Sequence, residues 1–202
     1  MIKCILFDIG GVIVDFYNEE DYYPYLVKVS GKPFARIRRM INDDIRIDID
    51  KGTKTQRFFD SQVANQLGIR VEQVRWYDFY KRKSKLINGT IDVIKRLSGS
   101  YKLGYLSNTD RSRYTYTVEK ILKPYLNLFD YRFASCDIRL RKPDAAVYKY
   151  ALHAMSLRAG EVVFIDNQIE NVAGANRVGM KAIWFRGSRN LEKRLKRMEM
   201  LS

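Results

Sequence analysis

At 202 residues with 46% hydrophobic side chains, the chain is long enough to bury a sizeable core and too apolar for a disordered protein. No apolar run approaches the ~20 residues that cross a bilayer, and the N-terminal run stops too early for a secretory signal, so a cytoplasmic protein without membrane attachment is expected. A net charge of +14 favours an anionic partner, but the basic residues are scattered over 36–39, 75–85 and 186–197 with no nucleic-acid fingerprint; a solvated basic face is the ordinary reading and nucleic acid the minority one.

Cysteine and histidine narrow the chemistry further. Cys4 and Cys136 lie far apart without a CxxC partner, which argues against a disulfide framework or a cysteine metal site. The single histidine, His153, argues against a histidine-built zinc centre or a Ser-His triad and is expected on a helix face.

In chain order, the first element is KCILFDIGGVIVD at 3–15, where an apolar run stops at Asp8 and then at Gly10 and Gly11. Such a run suits a strand covered on both faces, and paired glycines let the backbone turn tightly beside a ligand. Ligands of open α/β sheets bind outside the carboxyl ends of the strands, where Asp8 stands. Taken alone, Asp8 reads equally well as the cap of a turn.

From 16 to about 86 there is no convincing strand pattern. Apolar and aromatic residues at i, i+3 and i+4 predict helices over 22–29, 34–41, 56–67 and 71–83, with Thr53–Thr55 capping the third and Gly68 ending it. The many aromatics here are expected to form the core of a small helical module. From 88 onward the pattern alternates: helix 90–97, strand 102–106, helix 113–122, strand 131–134, helix 145–155, strand 162–165, helix 171–178, strand 181–185, and a basic helix over 190–200. This predicts a doubly wound parallel α/β sheet, Rossmann-like, with a helical insertion. The expected division is a core of 1–15 and 87–202 and a helical cap of 16–86.

Polar clusters close several strands. Ser107, Asn108, Thr109 and Asp110 follow one, Asp166, Asn167 and Gln168 another, and Arg141, Lys142 and Pro143 precede a helix. A carboxylate, a hydroxyl with amides, a lysine and a second acidic cluster on one sheet edge would make a workable phosphoryl-transfer site.

FDIGGVIVD, LGYLSN, RKPDAAVY and VVFIDNQIENVAGANRVG resemble, in order and spacing, the four motifs of the haloacid dehalogenase-like (HAD) hydrolase superfamily. The helical stretch sits where this superfamily inserts its small helical cap, and DKGTKTQRFF is similar to the branch with α-glucose-1-phosphate phosphatase and the N-terminal phosphatase domain of epoxide hydrolases. The resemblance implies a Mg²⁺-dependent phosphatase of a small phosphorylated metabolite, with Asp8 as nucleophile and Lys142 steadying nucleophile and phosphate. It implies Ser107, Asn108 and Gly11 at the substrate, and Asp8, the Gly10 carbonyl, Asp166 and Asn167 at the metal.

Two positions depart from the family pattern. Gly10 stands where most such phosphatases carry a general acid and base, a group worth ~10² to 10⁴ in rate. Asn167 stands where a second aspartate usually binds the metal, so one charge is missing from a site for a hard cation. Two other functions therefore compete: a metal-free haloacid dehalogenase, with Tyr148 in its tyrosine position, and an idle fold used for binding.

Overall fold

The sheet grows from strands that have no polar face. In the computed structural model, which describes residues 1–15 and 19–201, β1 (Cys4–Phe7) is buried along its whole length. A strand of that kind must be covered on both sides, the condition of a central strand in a parallel sheet. The chain then forms β2 (Val14–Asp15), α1 (Glu19–Ser30), α2 (Phe34–Arg39), α3 (Arg46–Asp50), α4 (Gln56–Leu67), α5 (Trp76–Lys83) and β3 (Lys85–Leu86). It continues through α6 (Asn88–Leu97), β4 (Lys102–Ser107), α7 (Arg111–Tyr116), β5 (Tyr131–Ala134), α8 (Ser135–Ile138) and α9 (Ala145–Met155). It ends with β6 (Val162–Asp166), α10 (Ile169–Arg177), β7 (Lys181–Trp184) and α11 (Ser188–Arg197). The main sheet is parallel, in the order β5-β4-β1-β6-β7, as the alternating pattern predicts.

The period of two along each strand divides the core between the two faces. Ile5 and Phe7 of β1 join Leu103, Tyr105, Val163 and Ile165 beneath α6 and α11. Cys4 and Leu6 point the other way, with Val162 and Phe164, against Val147, Tyr148 and Ala151 of α9. His153 lies on the exposed side of that helix, as expected. Among the described residues no helix is long and apolar enough to cross a membrane.

The helical stretch carries a third apolar cluster of its own, built on Tyr22, Tyr23, Ile37, Phe59, Val63 and Trp76. Its first residues, 16–18, lie outside the described residues. The capping signals of α4 act as read: the Thr55 hydroxyl accepts from the Phe58 N–H at 3.3 Å, and Gly68 closes the helix with φ 68°. Two expectations for this stretch fail. The helix expected over 71–83 is split into a 3₁₀ turn, Val71–Gln73, and α5, with Arg75 between them at φ 50°. The break turns Trp76 inward onto Tyr22 and Phe59, so tertiary packing overrides the periodicity. A short strand also exists where none was read: Lys85–Leu86 pairs antiparallel with Val14–Asp15, where the chain leaves and re-enters the sheet region.

Candidate active site

Asp8 follows the last residue of the central strand. Its Oδ1 accepts the Ile9 N–H at 2.7 Å and lies 2.9 Å from Lys142 Nζ. Oδ2 accepts no hydrogen bond among the described residues. Asp8 is 7% exposed, and burial raises its pKa from 3.8 to about 6, with Asp166 adding to the rise and Lys142 opposing it. The carboxyl group is therefore held still by one oxygen while the other stays available at the floor of a cleft of about 750 Å³.

Lys142 and Asp166 complete that floor. Lys142 is 1% exposed and Asp166 fully buried, and their ion pair is 2.6 Å long. Asp166 Oδ2 also accepts from the Asn171 side-chain amide at 3.0 Å, and Oδ1 accepts the Gln168 N–H at 2.8 Å. Burial alone would push the Lys142 ammonium down; Asp166 and Asp8 outweigh it and hold the pKa above the ordinary lysine value. Two carboxylates share one ammonium, leaving one negative charge in a low-dielectric place.

The remaining expected residues divide. Gly10, Gly11, Asn108 and Asn167 line the same cleft as Asp8 and Lys142. Gly11 has φ 74°, and a Cβ there would stand 2.3 Å from Asn167 Nδ2, so the first turn and the amide after β6 touch across the cleft. The Asn108 side chain donates to the Lys142 carbonyl and accepts the Lys142 N–H, both at 2.9 Å; it ties the lysine loop to the end of β4. Ser107 reaches the same sheet edge but does not line the cleft. It borders an adjoining void of about 10 Å³ with Ile9, Tyr80 and Arg113, because it follows Leu103 and Tyr105 on the opposite pleat from Asp8.

A buried ionic network joins the helical stretch to the sheet region, and the residue pattern gave no sign of it. Arg113 of α7, 2% exposed, bonds Asp50 of α3 at 2.7 Å and pairs with Asp110, which also caps α7. Its guanidinium lies 5.6 Å from the Trp76 ring and 5.8 Å from the Tyr80 ring. Arg46 and Arg141 reach the same Asp50 from the cleft wall. Asn171 was also missed as the group that orients Asp166; its place five residues on in DNQIEN is the signal that could have found it.

A family model described as haloacid dehalogenase-like hydrolase matches residues 2–179. The chain is 22% identical over 200 residues to drimenol cyclase drtB of Aspergillus calidoustus, covering 96% of this chain but spanning only 36% of that protein. It is also 22% identical over 189 residues to D-ribitol-5-phosphate phosphatase of Bacteroides thetaiotaomicron, covering 90% of both. Among solved structures it superposes on a HAD family enzyme of Bacteroides thetaiotaomicron, in complex with magnesium and inorganic phosphate, with a TM-score of 0.77 at 19% identity, covering 93% of this chain and 96% of that one.

Proposed function

The chain belongs to the haloacid dehalogenase-like hydrolase family, and on that premise we propose that it is a Mg²⁺-dependent phosphatase of a small phosphorylated metabolite, acting through an aspartyl-phosphate on Asp8. The observation that carries this reading is the Asp8 carboxylate, fixed through Oδ1 by the Ile9 N–H and Lys142 while Oδ2 stays unbonded among the described residues at the floor of the cleft. A carboxylate so placed is oriented for attack rather than used up in structure.

In this mechanism Oδ2 attacks phosphorus, the P–O bond to the substrate breaks, and the departing oxygen takes a proton from water or from the substrate itself, because Gly10 offers no acid. Water then hydrolyses the aspartyl-phosphate and returns the carboxylate. With a pKa near 6, Asp8 is mostly ionised at neutral pH and ready to attack. Lys142 keeps two carboxylates and an incoming phosphate from repelling one another. Asn108 holds the lysine loop in register, and Asn171 and the Gln168 N–H fix Asp166.

The donors at the floor fit a magnesium ion held weakly. The Asp8 carboxylate, the Gly10 carbonyl, Asp166 and the Asn167 amide would supply the hard oxygens such an ion prefers. Among the described residues no three His, Cys, Asp or Glu side chains cluster as a metal site, so the charge available is low. When bound, the ion would screen the phosphate and polarise its oxygens. The helices of 16–86 would act as a cap that selects the substrate and excludes water, and a relative named for a phosphorylated polyol supports a substrate of that size.

The dehalogenase alternative loses its footing at Tyr148, which is fully buried and donates to the Asn171 carbonyl at 2.8 Å rather than lining the cleft. The test is a panel of phosphate monoesters assayed with Mg²⁺ and with EDTA, for the natural chain and Asp8→Asn. Turnover that needs both the metal and Asp8 is expected. Hydrolysis persisting in Asp8→Asn, or unaffected by EDTA, would overturn the reading.

A further inference from the structure

Resting on the phosphatase reading of the cleft, we propose that the substrate carries a second anionic group, phosphoryl or carboxylate, held between Arg46 and Arg141. Both arginines line the cleft that contains Asp8, and Arg141 immediately precedes the lysine that touches Asp8. The Nε of each is buried and has no hydrogen-bond partner among the described residues. Their nearest carboxylate oxygen is the same one, Asp50 Oδ2, at 3.6 and 3.5 Å, well beyond the 2.7–2.9 Å of a charge-assisted bond.

Asp50 is shared among three guanidiniums. Its other oxygen is taken by Arg113 at 2.7 Å, and Asp110 is also committed to Arg113. Within this network three guanidiniums share two carboxylates, one positive charge in excess, beside two floor carboxylates that share one ammonium. The floor suits a divalent cation and the wall suits an anion. Arg46 is positioned by the Trp76 ring, whose centroid lies 5.6 Å from its guanidinium. A neutral polyol tail would accept from these donors without balancing their charge, whereas a carboxylate or phosphoryl group would do both.

The test is equilibrium binding to the full chain by calorimetry in EDTA, with methylphosphonate, methylenediphosphonate and phosphonoacetate as probes. The two-headed probes should bind at least tenfold more tightly than methylphosphonate, a typical gain for bonds to charged groups. Preference for only one of the two would identify the second group as phosphoryl or carboxylate. Arg46→Gln and Arg141→Gln should each remove most of that preference. Arg46→Lys and Arg141→Lys, which keep the charge for folding but lose the fork, should keep part of it. Lys193→Gln, on the exposed side of α11, should keep all of it, which separates the site from the overall basic charge. Equal affinity for one-headed and two-headed probes, no binding of any probe, or a preference that survives in the Arg46→Gln/Arg141→Gln double variant would overturn the proposal. Because the readout is binding, absence of phosphatase turnover would sink the catalytic reading alone, whereas loss of the preference would sink only the second subsite.

Discussion

Replacing Asp8 with asparagine keeps the shape of the side chain but removes one of the two carboxylates that share Lys142. In the folded chain the Asp8 pKa stands near 6 against an ordinary 3.8, because burial penalises its charge more than Lys142 rewards it. The native state therefore holds more protons than the unfolded chain between about pH 4 and pH 6, and its stability falls as pH rises through that window. At about 1.4 kcal/mol per pH unit, the displacement amounts to about 3 kcal/mol once Asp8 is fully ionised. Asparagine imitates the neutral carboxyl and leaves Lys142 and Asp166 as a balanced pair. Asp8→Asn should thus be catalytically dead yet more stable than the natural chain by up to about 3 kcal/mol above about pH 6, with the gap closing toward pH 4. Urea denaturation of both proteins in EDTA across that range measures it. A less stable Asp8→Asn, or a gap that does not change with pH, would refute the reasoning.

Lys142→Met has the opposite effect, since it leaves Asp8 and Asp166 buried with no cation between them; a loss of about 3–5 kcal/mol at neutral pH is expected in the same urea assay, and unchanged stability would mean that Asn171 and the Gln168 N–H suffice for Asp166. Gly11→Ala places a Cβ against Asn167 Nδ2 at a backbone angle that L residues avoid. It should cost about 1–3 kcal/mol in calorimetric melting, and an unchanged melting temperature would contradict the close approach of the two loops. Asn167→Asp restores a negative charge at nearly constant shape and should tighten Mg²⁺ binding roughly tenfold in a calorimetric titration. Equal affinities would show that Asn167 does not face the metal.

What the sequence made legible follows the range of the interactions involved. Strands such as Cys4–Phe7 and Val162–Asp166 are locally overdetermined: short, wholly apolar and closed by a polar residue. Caps such as Thr55 and Gly68 are signalled within one turn of the helix they end. The Asp8, Lys142 and Asp166 constellation was readable because each residue sits at a strand end or loop that the parallel topology gathers on one edge. Residues that meet only across the fold were not readable. Nothing local to Arg113 points to Asp50, 63 positions away, and nothing at Arg75 announces the left-handed turn that seats Trp76. Ser107 closes β4 on the same edge, beside a small void that shares Tyr80, Asn108 and Arg113 with the cleft.

The central claim is that Asp8 itself carries the phosphoryl group during turnover. The most direct measurement is to quench the working enzyme with borohydride, which reduces an acyl phosphate to an alcohol, and to map the modified residue by mass spectrometry after proteolysis. Homoserine at position 8, appearing only when a hydrolysed phosphate monoester and Mg²⁺ are both present, is the predicted result. An unmodified Asp8 in enzyme quenched during demonstrable turnover, with a parallel trap succeeding on an authentic acyl phosphate, would contradict the account.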